Sequence, residues 1–139
     1  MKNNDNPLLS LLIDEEEIEK RADSILSSAL ASYVQITKTG QQVQFLPKAH
    51  GLKGHQKVLL ALASKLVAQR LDLLEDATMS QKELIDQLKD EGVAEGTVKS
   101  ALNKLRSAKL LSKTDNSRYY LGTDKLIKLE SALEVNTDE

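Results

Sequence analysis

The chain has 139 residues, of which 40% are hydrophobic, 3% aromatic and 29% charged, with a formal net charge of −2. That length suits one domain with an extension. So few aromatics leave Leu, Val, Ile and Ala to build the core, which favours packed helices over sheets. Cysteine is absent, which excludes disulfides and thiolate chemistry and fits a reducing cytoplasm. No apolar run approaches the ~20 residues of a membrane span, and Lys2 ahead of an acidic run does not match a secretory signal.

Residues 1–13 read as a polar start and a leader containing Leu8, Leu9, Leu11, Leu12 and Ile13. Asp14-Glu15-Glu16-Glu17 opens a helix to about Ala31, with Ile18, Ala22, Ile25, Leu26, Ala29 and Leu30 at helical spacing; acid at its N-terminal end suits the helix dipole. Val34 and Ile36, then Val43 and Phe45, alternate with polar residues around Lys38-Thr39-Gly40-Gln41, a hairpin pattern. Pro47 ends its second strand, and residues 51–54 form a loop. The helix and hairpin make an extension over 14–54.

His55 to Leu74 gives the strongest helix signal. Leu59, Leu62, Leu66 and Leu73 form one stripe; Leu60, Ala63, Val67, Leu71 and Leu74 form another. An apolar arc that wide predicts cover on two sides. Ser80 and Glu83 then have capping-box spacing, with Leu84, Ile85 and Leu88 behind them. Gly92 breaks that helix. A second one spans about Ala94 to Ala108, with Val98, Ala101, Leu102 and Leu105 inward. Ala94 gives it no side-chain cap, and Lys109 stands where helices often end in Gly, requiring positive φ of a non-Gly residue. Ser112-Lys113-Thr114 and Arg118-Tyr119-Tyr120-Leu121 flank a turn at Asp115-Asn116-Ser117, with the two tyrosines on opposite faces. Residues 123–139 read as a last helix carrying Leu126, Ile127, Leu129 and Leu133, then a tail.

Charge is unevenly placed. Residues 1–31 carry three Lys/Arg against seven Asp/Glu, and residues 123–139 two against five. Residues 32–77 carry six against three, and residues 78–122 eight against six. From Glu95 to Arg118 six cations (Lys99, Lys104, Arg106, Lys109, Lys113, Arg118) face only Glu95 and Asp115. A local basic patch of this kind is the expected footprint of phosphate binding.

Helix, turn, helix and hairpin over 78–122, preceded by the long helix, resemble the winged helix-turn-helix domain of prokaryotic transcription regulators, over about residues 55–122. The expected fold is mainly α with small β-hairpins: a winged helix-turn-helix with an N-terminal helix and hairpin extension. By that resemblance the second helix enters the major groove. Thr97, Lys99, Ser100 and Asn103 would meet bases or backbone, Lys104 and Arg106 phosphate, and Lys113 and Arg118 would act from the wing. The bland alternative is a solvated helix face and a solvated hairpin.

Other chemistry has little support. His50 and His55 lack the converging ligands that a metal needs. Gly51-Leu52-Lys53-Gly54-His55 is too short for a phosphate loop and lacks its Lys-Ser/Thr ending. Asp14 to Glu17 has no catalytic partner, and no nucleophile-base pairing is evident. The expectation is a cytoplasmic, non-enzymatic protein without cofactor or membrane span. It binds duplex DNA as a transcription regulator, as a homodimer through its N- or C-terminal helices. The alternative is a protein-interaction adaptor on the same fold. Leu8, Leu9, Leu11 and Leu12 are either buried or a docking site for a partner protein.

Overall fold

In a computed structural model that describes Leu8 and residues 15–133, the chain begins with helix α1, Glu15–Leu30. Ala22, Leu26, Ala29 and Leu30 are buried, so the stripe seen at helical spacing is its inward face. Of the leucine leader only Leu8 falls within the described residues, and it is 65% exposed. Leu9, Leu11, Leu12 and Ile13 lie outside them, as does the tail from residue 134.

Strands β1 (Val34–Ile36) and β2 (Val43–Phe45) form the expected hairpin, with Val34 opposite Phe45 and Ile36 opposite Val43. Gly40 turns it at φ +77°. A side chain there would collide with Leu73 and crowd Ala68, so glycine is needed for close approach as well as for φ. Pro47–Gly51 form a 3-10 turn, where the sequence suggested only the end of a strand and a loop.

Helix α2, Gly54–Arg70, is the hub. Val58, Leu59, Leu60, Leu62 and Ala63 are fully buried, although they spread over more than half of the helix circumference. That agrees with the two-stripe reading: α2 packs α3 and α4, and also α1, β1 and the C-terminal helix. It stops at Arg70, one turn before the expected Leu74. Arg70 is held by Glu19 and Asp23 of α1, each at 2.6 Å. Asp72 then takes φ +61°, a conformation that Asp tolerates better than most residues, and Leu73 N–H returns to the Ala68 carbonyl at 2.9 Å.

Strand β3, Met79–Ser80, leads directly into α3, Gln81–Lys89. The capping box exists: Glu83 N–H donates to Ser80 Oγ at 3.1 Å and Ser80 N–H to Glu83 Oε1 at 2.9 Å. Gly92, at φ +79°, turns the chain into α4, Glu95–Ser107, which has no side-chain cap. Lys109 ends that helix at φ +63°. Strands β4 (Ser112–Lys113) and β5 (Arg118–Tyr120) pair antiparallel, and β5 also pairs with β3, giving a sheet ordered β3-β5-β4. Tyr119 is buried and Tyr120 half-buried.

The last segment is a 3-10 stretch, Thr123–Lys128, followed by a short helix α5, Leu129–Leu133, rather than one continuous helix. Its apolar side is spent internally: Leu126, Leu129 and Leu133 are buried. Two side chains tie it down. Tyr33 Oη donates to the Leu133 carbonyl at 3.3 Å, and Gln56 Nε2 to the Ala132 carbonyl at 3.1 Å. One continuous core joins residues from every helix. The fold is thus mainly helical with two small antiparallel sheets. No described helix is long and apolar enough to cross a membrane.

Candidate nucleic-acid interface

Helix α4 divides as its periodicity requires. Val98, Ala101, Leu102 and Leu105 are buried, anchoring the helix on α2 and α3. Thr97, Lys99, Ser100, Asn103, Lys104 and Arg106 are all exposed. Residues three and four apart share a face, so Lys99, Asn103 and Arg106 form one flank, and Thr97, Ser100 and Lys104 the other.

The first flank meets the β4–β5 hairpin. Asn103, Arg106 and Ser107 face Leu111, Ser112 and Lys113 across an open depression of about 570 Å³. Three of the sequence-selected residues, Asn103, Arg106 and Lys113, therefore line one concavity. The reversal at Lys109 brings this about. Leu110 N–H returns to the Leu105 carbonyl at 2.9 Å, and the chain folds back beside the helix it has just left. The Lys113 ammonium lies 5.6 Å from the Tyr119 ring centre, a cation–π distance that orients it without cancelling its charge.

The second flank borders the start of α2. A Cβ on Gly54 would collide with the Thr97 methyl, so Thr97 serves packing as well as any ligand. Burial first, then the Lys104 and Lys53 charges, hold the His55 imidazole below its ordinary pKa. The smaller part of that shift, the part due to Lys104 and Lys53, shows that cations of α4 and of the residue before α2 both act on His55.

Two of the chosen cations are partly committed. Lys99 pairs with Glu95 one turn earlier at 2.9 Å, an exposed pair of small energetic weight. Arg118 is engaged more fully. Its Nε donates to Thr78 Oγ1 at 2.7 Å and its Nη2 to the Thr78 carbonyl at 3.0 Å. Nη2 also pairs with Glu83 Oε1 at 2.8 Å. The structure thus places Arg118 as a brace between β5, β3 and the first turn of α3. It is the one residue of the set that is not brought to the α4 surface. Glu83 is held below the usual carboxylate pKa range, chiefly by the Ser80 N–H and further by Arg118. By contrast, Lys104 and Arg106 have no acidic partner within ion-pair distance among the described residues.

The brace was not visible in sequence, because Thr78 and Arg118 are 40 positions apart. Strand β3 was missed as well, since two residues are too few for alternation to register. Among the described residues no group of three or more His, Asp or Glu is placed to hold a metal ion, and His50 faces Glu91 at 3.8 Å. Comparison with protein-family models, curated proteins and solved structures finds no match.

Proposed function

We propose that the chain is a small duplex-DNA-binding protein, a transcription regulator built as a winged helix-turn-helix. In this reading α3 and α4 are the helix-turn-helix, β4 and β5 the wing, and α4 the recognition helix. The observation that carries it is the concavity shared by Asn103, Arg106 and Lys113. Helix and hairpin there present cations and an amide together, on a surface whose apolar positions are all spent inward. Thr97, Lys99, Ser100 and Asn103 are assigned to bases or backbone near the helix start. Lys104, Arg106 and Lys113 are assigned to phosphate. Arg118 passes from contact to support, since its guanidinium holds Thr78 and Glu83.

The mechanism is insertion of α4 into the major groove, with the lysines and arginine displacing condensed counterions. Four cations, Lys99, Lys104, Arg106 and Lys113, set a ceiling of about −3.6 for the slope of log affinity against log salt per copy, at roughly 0.9 per phosphate. Two copies would contact two half-sites. The dimer surface is assigned to the N-terminal side, because Leu126, Leu129 and Leu133 of the C-terminal segment lie in the core.

The test is fluorescence anisotropy with mixed-sequence duplexes across a salt series. Lys104→Glu with Arg106→Glu should remove binding while leaving helicity unchanged. Binding that survives the double variant ends this assignment. The committed charges of Lys99 and Arg118 favour a second reading, a protein-interaction adaptor on the same fold. A partner interface of that kind would respond little to salt, whereas phosphate contacts would respond steeply.

A further inference from the structure

On the opposite side of α2 the chain has a surface with a different character. In the β1–β2 hairpin the Tyr33 carbonyl accepts from Leu46 N–H at 2.7 Å, and Thr37 N–H donates to the Gln42 carbonyl at 3.0 Å. Antiparallel ladders alternate, so these odd-numbered residues bond to β2, while the N–H and C=O groups of Val34 and Ile36 point the other way. Among the described residues β1 has no strand neighbour on that side. Open edges are templates for further strand pairing. The side chains of Val34 and Ile36 line a groove of about 460 Å³, together with Leu26 and Leu30 of α1 and Val67 of α2. Leu71, on the rim of that groove, is 63% exposed.

We propose that this surface binds a second copy of the chain across a two-fold axis. The two β1 edges pair antiparallel, and Leu71 of each copy enters the groove of the other. A two-fold contact needs a patch that complements itself, and this one carries both members of each pairing. An open edge supplies donors and acceptors alike, and a projecting leucine stands beside an apolar recess. Nucleic acid does not suit it, because the rim cation Arg70 is already neutralised by Glu19 and Asp23 at 2.6 Å each. The proposal goes beyond the DNA reading and does not depend on it.

The experiment is sedimentation velocity on the full chain over a concentration series reaching the high micromolar range, without DNA. A concentration-dependent dimer is expected. Leu71→Glu should weaken it by about tenfold or more, since a charge would be driven into an apolar recess. Ile36→Pro should do the same while sparing the hairpin, because the lost N–H faces away from β2. The chain lacks cysteine, so a third arm is clean: Leu71→Cys protein mixed with Ser27→Cys protein should give the mixed disulfide on mild oxidation. This arm stands even if Ile36→Pro fails to fold. A monomer at every concentration overturns the proposal. So does a dimer that neither variant weakens, or one abolished instead by Leu8→Glu with Leu9→Glu, which would assign the contact to the leader.

Discussion

Arg118→Met isolates the brace from the groove. Methionine keeps much of the aliphatic stem and removes two hydrogen bonds to Thr78 and the ion pair to Glu83. Each hydrogen bond from a guanidinium to a neutral acceptor contributes about 1 kcal/mol net, at the low end for a charged donor because water can replace it at half-buried Thr78. The ion pair adds at most about 0.5 kcal/mol, since the side chains are 33% and 48% exposed. The expected loss is about 2–2.5 kcal/mol. For a domain near this size that lowers the melting temperature by about 7–9 °C. Differential scanning calorimetry measures it. If duplex DNA binds, its salt slope should be unchanged in this variant, whereas Lys113→Ala should reduce the slope by about 0.9 with little change in melting temperature. An Arg118→Met protein as stable as the parent, with a shallower salt slope, would refute the reasoning and return Arg118 to the contact surface.

Leu102→Ala removes a fully buried side chain between α4 and α2; urea unfolding should show a loss of about 2–5 kcal/mol. Lys109→Gly relieves a positive φ in a non-glycine residue; it should raise stability by about 0.5–1 kcal/mol in the same assay, after the entropy that glycine adds to the unfolded chain. Asp76 and Glu83 both titrate below their ordinary values when folded, held first by the Thr78 and Ser80 backbone N–H groups respectively. The unfolded chain then binds protons more readily, so their stabilisation is complete above about pH 5 and declines as pH falls through the unfolded toward the folded values. The urea midpoint should fall across that range, and Glu83→Gln should make the fall shallower.

Much of this fold could be read along the chain because local rules decided it. The spacing of Val98, Ala101, Leu102 and Leu105 fixed which side of α4 turns inward, and the outward set followed by exclusion. Ser80 and Glu83 announced the start of α3, and the absence of glycine at Lys109 correctly implied a strained helix end. Legibility failed wherever a distant partner intervened. The apolar pattern continues to Leu74, yet α2 ends where Arg70 meets two carboxylates on α1. The C-terminal pattern suited one helix, yet Leu126, Leu129 and Leu133 reach the core through a 3-10 stretch instead. For the candidate site, the α4 residues could be written from that helix's periodicity, and Lys113 and Arg118 from the hairpin pattern that follows it. The separation of Arg118 from Lys113 could not, because that depends on β3, two residues long, lying beside β5.

Helix α2 stands between an acid-rich helix and a cation-rich one, and that gives the molecule electrical direction. Glu16, Glu17, Glu19 and Asp23 belong to α1, while Lys104 and Arg106 project from α4. Near any highly charged polymer the chain therefore experiences torque as well as attraction or repulsion. On the proposed reading, a polyanion would turn away approaches led by α1 and draw in those led by α4, selecting the orientation of first collision before any side chain touches.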